Sequence, residues 1–367
     1  MPPSIFCAAA PGRPPGFSVD SPAALPYNGF VPLAGPCLRR PDPIYQERPL
    51  PRAGRSTAMF ESVQTIVTQI FIMFLLMFVG HLLYRRRMID DQGCKQISAL
   101  LLNIVTPAVL ISSYQRPFDR GEARLLLTAF LLAVLTYLIP LALSRLAYGR
   151  SQKPYARDAQ MCIIFSNNGF MAIPLLQALL GSTGVFLGSA SIVTGTVIAW
   201  TYGARMLSGG GRVNFKKILL NPGTLALIGG LLLFVSPWKL PSPLFQAVSY
   251  LGSLNTPLAM LVLGAYLSQA KVLTCLKDKT VYRIAFLKLI AVPLLCTALL
   301  WLLHADQTVA MALLIGIAAP SGVISAMMAQ MFGTDHLFST RIVAVTTLLS
   351  AVTLPLFLVL GSVFALH

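Results

Sequence analysis

Met161-Cys-Ile-Ile-Phe-Ser-Asn-Asn-Gly-Phe-Met-Ala-Ile-Pro-Leu-Leu-Gln-Ala-Leu-Leu180 has the length and apolar content of a membrane-spanning helix, but its middle does not suit an uninterrupted one. Ser166, Asn167, Asn168 and Gly169 set amides and a helix-weakening glycine at its centre, and Pro174 removes a backbone donor one turn later. Lipid offers no partner to backbone groups released in this way, so such a break is buried in protein or lines a wet cavity. A plain kink, with the Asn side chains bonded to neighbouring helices, is the simpler alternative. Two consecutive amides exceed what a kink needs, and the stretch reads as a substrate site built on a broken helix.

The rest of the chain has the solvent preference this reading requires. Hydrophobic residues make up 56% and charged residues 11%, whereas a soluble domain carries about a quarter charged residues. The net charge of +16 invites a nucleic-acid reading, which the placement of the charges answers below. Cys7, Cys37, Cys94, Cys162, Cys275 and Cys296 show no CxxC spacing, so neither a metal site nor a disulfide framework is expected, and no cofactor.

Residues 1–58 differ from everything after them. Proline recurs, arginines are scattered, and no apolar run is long enough for a signal-peptide core, so a disordered extension is expected. Met59, just ahead of the first apolar segment, is the alternative and slightly favoured start. Segments of spanning length follow at 64–84, 95–114, 123–146, 157–180, 184–207, 216–235, 245–268, 281–303, 308–331 and 340–363. The expectation is an all-α polytopic membrane protein with ten transmembrane helices. Residues 59–207 form a first five-helix unit, 208–215 a connector and 216–367 a second unit.

Loops after spans 1, 3, 5 and 7 are rich in Lys and Arg: Arg85, Arg86, Arg87 and Lys95, then Arg145, Arg150, Lys153 and Arg157, then Arg205, Arg212, Lys216 and Lys217, then Lys271, Lys277, Lys279 and Arg283, with Arg341 after span 9. The other side carries only Arg116, Arg120, Arg124 and Lys239. The positive-inside rule puts the rich side in the cytoplasm and both termini outside. The basic excess is thus a topology signal, and nucleic acid is not an expected partner; the lipid bilayer is.

The two halves share landmarks at an offset of about 150 residues. Gly80 matches Gly230, Thr106-Pro107 matches Thr256-Pro257, Pro140 matches Pro293, Gly169 matches Gly322, and Gly181…Phe186 matches Gly333…Phe338. Five spans is an odd number, so the second copy enters from the opposite face, which makes the repeat inverted and lets broken helices 4 and 9 cross at mid-membrane. Half-helices starting at Asn167-Asn168-Gly169 and at Pro320-Ser321-Gly322 direct free N–H groups and positive dipole ends into the centre, where an anion is the natural guest. Asn103, Thr106, Asn255 and Thr256 in spans 2 and 7 join the candidate substrate site, with Pro174, Thr194 and Thr196; each hydroxyl taken alone suits helix packing at least as well.

These motifs resemble a family. Ser166-Asn-Asn-Gly-Phe-Met-Ala-Ile-Pro-Leu-Leu-Gln-Ala-Leu-Leu-Gly181 is similar to the span-4 signature of the auxin efflux carrier family, whose bacterial members carry organic anions. Thr256-Pro-Leu-Ala-Met-Leu-Val-Leu-Gly-Ala265, Ala319-Pro-Ser-Gly-Val-Ile-Ser-Ala-Met-Met-Ala329, Asn221-Pro222 and Thr346-Thr347…Thr353-Leu-Pro355 resemble its other motifs. The resemblance runs from Met59 to the C-terminus. It implies a transporter bundle with spans 4 and 9 crossing, a scaffold of spans 1, 2, 6 and 7, a homodimer through that scaffold, and a bacterial inner membrane. The extension 1–58 has no counterpart in it, nor has the long cytoplasmic loop of many plant members.

Asp20, Asp42 and Glu47 fall in the extension, and Glu61, Asp90, Asp91, Asp119, Glu122, Asp158, Asp278, Asp306 and Asp335 in loops or at span ends. No carboxylate is expected deep in the membrane, which argues against a proton antiporter and a cation substrate. Lys288 is the one embedded charge. It either snorkels to the cytoplasmic interface, the simpler reading, or attracts or couples the anion. Walker, GxSxG and HExxH motifs are missing, so no enzyme is expected. The expected function is secondary transport of a small organic anion, a dicarboxylate or an auxin-like carboxylate, by alternating access. A non-transporting sensor on the same fold and a sodium-coupled symporter are the alternatives.

Overall fold

The computed structural model describes residues 55–209, 220, 222–236, 238–269 and 278–364. All of them belong to one compact unit, Pro49–His367. Most of the Pro-rich extension, connector residues 210–215, the start of the expected span 6 and the loop 270–277 lie outside the described residues.

The described residues are helical, with no strand among them. In chain order the α-helices are α1 Arg55–Arg85, α2 Asp91–Leu100, α3 Thr106–Ser113, α4 Arg120–Tyr148, α5 Ala156–Ile164, α6 Ile173–Ile198, α7 Ala204–Leu207 and α8 Pro222–Val235. Then come α9 Ser242–Ser253, α10 Asn255–Gln269, α11 Lys279–Phe286, α12 Val292–Leu302, α13 Gln307–Ala318, α14 Val323–Phe332 and α15 His336–Phe364. Seven helical runs are long and apolar enough to cross a membrane, and Pro222–Val235, Gln307–Ala318 and Val323–Phe332 are shorter apolar helices. The start of the sixth expected span lies outside the described residues, and the rest of the difference from ten spans has local causes. The segment expected at 308–331 is cut into two halves, and 157–180 loses its first third at a break. The remainder of 157–180 runs on into 184–207 through a turn at Gly181 (φ 61, ψ −150).

The acids explain themselves locally. Asp90, Asp119, Asp278 and Asp306 stand at helix N-caps, each accepting from a backbone N–H of the first turn, at 2.7 Å for Gly93, 3.0 Å for Glu122, 2.8 Å for Thr280 and 2.9 Å for Thr308. Asp335 does the same for Phe338 at 3.0 Å. A carboxylate there satisfies an orphan donor and meets the positive end of the helix dipole, which is why these acids sit at the ends of apolar segments.

Three of the prolines reshape their helices in one way. π-helical turns at Leu101–Val105, Asn168–Ala172 and Leu287–Ala291 each end two residues before a proline, Pro107, Pro174 or Pro293. Proline donates no hydrogen bond and its ring crowds the carbonyl four residues back, and a widened turn relieves both. Each of these turns carries a polar side chain, Asn103, Asn168 or Lys288. Pro140 and Pro355 lie within continuous helices, so proline permits the wide turn without dictating it.

Candidate substrate site at the crossing of two broken helices

Both predicted breaks are present. α5 stops at Ile164 and helix resumes at Asn168, while α13 stops at Ala318 and α14 starts at Val323. The two extended links lie antiparallel, paired at Ser166 and Ser321. Asn167 N–H donates to Pro320 O at 2.8 Å, and Gly322 N–H donates to Phe165 O at 2.8 Å. Two broken segments thus satisfy each other's backbone where neither can do so alone, as apolar surroundings require.

Side chains lock the crossing. The Ser321 hydroxyl donates to Cys162 O at 2.7 Å, and the Ser325 hydroxyl to Met161 O at 3.1 Å. Both bonds go to carbonyls in the last turn of α5; Met161 O also accepts from the Phe165 N–H at 3.0 Å. Ser321 N–H donates to the Thr346 hydroxyl of α15 at 3.2 Å. Phe170, Met171, Ile173 and Val323, which follow the two breaks in sequence, are buried.

The asparagines divide the work. Asn167 is 4% exposed, and its Nδ2 has no hydrogen-bond partner among the described residues. Asn168 Nδ2 donates to the Tyr137 hydroxyl at 3.3 Å, and its Oδ1 is the atom left unpartnered. The phenol of α4 takes one of the two Nδ2 hydrogens of Asn168 and holds that amide in place. Tyr137 was missed because a lone tyrosine in an apolar span reads as packing. Gly169 has only Leu102 near its missing side chain, at 3.9 Å.

The other predicted site residues are placed as follows. Pro174 lies in the first turn of α6. Thr106 and Asn255 are buried, with the Thr106 hydroxyl and both amide atoms of Asn255 unpartnered. Thr256 follows in the first turn of α10, half-buried. α10 packs on the π turn that carries Asn168, which brings Asn255 and Thr256 onto a helix facing the break. Asn103 is exposed. Thr194 is buried beside Gly195, whose own missing side chain would lie 3.8 Å from Asn168 Nδ2. Thr196 back-bonds to Ile192 O at 2.9 Å, the packing role.

Lys288 overturns the snorkelling expectation. It is 1% exposed, and its ammonium donates to the Ser166 hydroxyl at 2.5 Å, at the break itself. Among the described residues the one ion pair is Arg116–Glu122, so no carboxylate neutralises Lys288. An isolated buried ammonium is costly and is found where a charge has work to do. Snorkelling fails because the π turn directs the side chain into the bundle instead of along its surface.

Asp158 lies in the first turn of α5, at a span end as expected, and is nevertheless fully buried. It is 0% exposed and accepts from the Thr334 hydroxyl at 2.6 Å and from Asp335 N–H at 3.2 Å, tying the start of α5 to the turn after α14. Asp158→Ala is expected to destabilise the folded protein by about 1–3 kcal/mol, the range for hydrogen bonds to a charged group. A melting curve of the detergent-purified variant checks this.

A family model described as "Membrane transport protein" matches residues 65–214 and 211–358, together well over half of the chain. Comparison with curated proteins gives no match. The match takes in both breaks and every candidate site residue, in a chain with seven helical runs long and apolar enough to cross a membrane. The chain belongs to the membrane transport protein family, that of the auxin efflux carriers.

Proposed function

We propose that this protein is a secondary transporter of a small organic anion, working by alternating access around the crossing. One observation carries the reading: two broken helices meet at their breaks, with unpartnered amide nitrogens on Asn167 and Asn255 and, among the described residues, a buried Lys288 at the break that no carboxylate pairs with. The field at such a site favours negative charge. The substrate carboxylate sits between Asn167–Gly169 and Pro320–Gly322, with Phe170, Met171, Ile173 and Val323 around the rest of the molecule. A dicarboxylate is the first expectation and an aromatic monocarboxylate the second.

The architecture that goes with this reading is ten spans in two inverted five-helix repeats. The antiparallel pairing of the breaks supports it. So does the left-handed backbone at both Gly181 (φ 61) and Gly333 (φ 70), which correspond in the two halves. Spans 3–5 and 8–10 rock against a scaffold of spans 1, 2, 6 and 7. Both termini lie on the non-cytoplasmic side of a bacterial inner membrane, and two copies pair through the scaffold.

The test is uptake of labelled carboxylates into proteoliposomes, with membrane potential and pH gradient imposed separately. Saturable flux of a carboxylate supports the proposal; saturable binding without flux makes the protein a sensor instead. Sodium dependence of the flux would mark a symporter. Asn168→Ala is expected to cut uptake about tenfold or more, since it removes an amide held in place by Tyr137, a buried polar contact whose loss costs about 1–3 kcal/mol. Initial rates normalised to reconstituted protein measure this.

A further inference from the structure

We propose that the Ser166 hydroxyl is a hydrogen-bond donor to the transported anion, and that Lys288 acts through it. This rests on the anion-transport reading and adds to it a binding residue and the way that residue is held. In its charged form Lys288 has only hydrogens to offer, so in the 2.5 Å contact it donates and Ser166 Oγ accepts. The single hydroxyl hydrogen of Ser166 must then point elsewhere. Among the described residues the one acceptor it meets is Ile317 O at 3.4 Å, long for an O–H···O bond.

Exposure points the same way. Residues 161–165, 167 and 168 are buried, whereas Ser166 between them is half-exposed. Lys288 itself is closed off, so an anion reaches the hydroxyl and not the ammonium. Donation from Lys288 polarises the Ser166 O–H and makes it a stronger donor to a carboxylate oxygen, since linked hydrogen bonds reinforce one another in a medium of low dielectric. No competing charge faces this pair among the described residues. The titratable groups acting on Lys288 are the thiols of Cys162 on α5 and Cys296 on α12. Asp158, at the far end of α5, is engaged with Thr334 and Asp335. Arg341 of α15 is exposed.

The ligand chemistry is therefore a group that only accepts hydrogen bonds, a carboxylate, placed at the gap between α5 and the π turn. The experiment uses the full chain in proteoliposomes with labelled malonate, succinate and indole-3-acetate. Ser166→Ala and Lys288→Met are each expected to raise KM for the transported carboxylate about 10- to 100-fold, the value of one hydrogen bond to a charged acceptor, with Vmax changed much less. Their combination is expected to be no worse than Ser166→Ala alone, because Lys288 acts through that hydroxyl. Ser166→Thr, which keeps the hydroxyl, restores most of the affinity.

Wild-type KM in Ser166→Ala overturns the inference and leaves the transport reading standing. Single effects that multiply in the double variant overturn the relay, because Lys288 then meets the anion by itself. A wild-type protein that neither binds nor moves any of the three anions sinks the transport reading and this inference together. If Ser166→Ala fails to fold around an orphaned ammonium, the double variant, which has none, decides by comparison with Lys288→Met: a further rise in KM is expected because the hydroxyl itself is lost, and an unchanged KM overturns the inference.

Discussion

Gly322→Val is expected to abolish transport and to lower the stability of the purified protein by about 3 kcal/mol or more, toward the upper end of what overpacking costs. A Cβ at Gly322 would stand 2.7 Å from Ser166 O and 3.0 Å from Ser166 C, atoms of the opposite backbone that no rotamer change can move. The φ of Gly322 is −75°, so the need for glycine here is one of space and not of backbone angle. The substitution forces the two links apart and costs the bonds Asn167 N–H to Pro320 O and Gly322 N–H to Phe165 O. Four backbone groups then lack partners in an apolar interior, where each is expensive. Uptake in proteoliposomes and a thermal melt measure the two effects. Wild-type flux in a well-folded Gly322→Val protein would mean that the crossing is not the transport site.

Gly264→Leu is expected to be comparably damaging by a different route. α1 and α10 touch backbone to backbone. A side chain on Gly264 would overlap Met77 O and lie 2.9 Å from His81 N, and one on Gly80 would overlap Leu261 O. Small residues at such a contact let main chains approach, which is how helices gain packing where lipid removes the hydrophobic drive. Leucine pries the pair apart along the face that holds Met73 and Met77. Loss of a monodisperse peak on size exclusion, with little protein surviving extraction, is the expected result. Gly264→Ala already carries the Cβ that overlaps Met77 O, so it too is expected to lower the melting temperature of the purified protein, by less than the leucine.

The breaks were legible because they are written in consecutive residues. Ser166-Asn-Asn-Gly and Ala319-Pro-Ser-Gly carry too many poor helix formers for mid-span positions, and the backbone departs from helix at both. The acids at segment ends were legible for the same reason, since a cap is a contact within one turn. The consequences of distance were not. Lys288 meets Ser166 across 122 positions, Asp158 meets Thr334 across 176, and Asn168 meets Tyr137 across 31. Gly80 was noticed as a landmark matched to Gly230, yet what it does is face α10, near Gly264.

The sequence alone thus determined what depends on neighbours along the chain: apolar segments of spanning length, their interruptions and their capped ends. Solvent preference and backbone satisfaction act locally, and they leave a local record. Tertiary structure alone decided which unpartnered atom of each asparagine is left over, where the lone ammonium goes, and which carbonyl fills the space a side chain would need. Those outcomes depend on atoms brought within a few ångströms by packing, and no spacing along a chain encodes them.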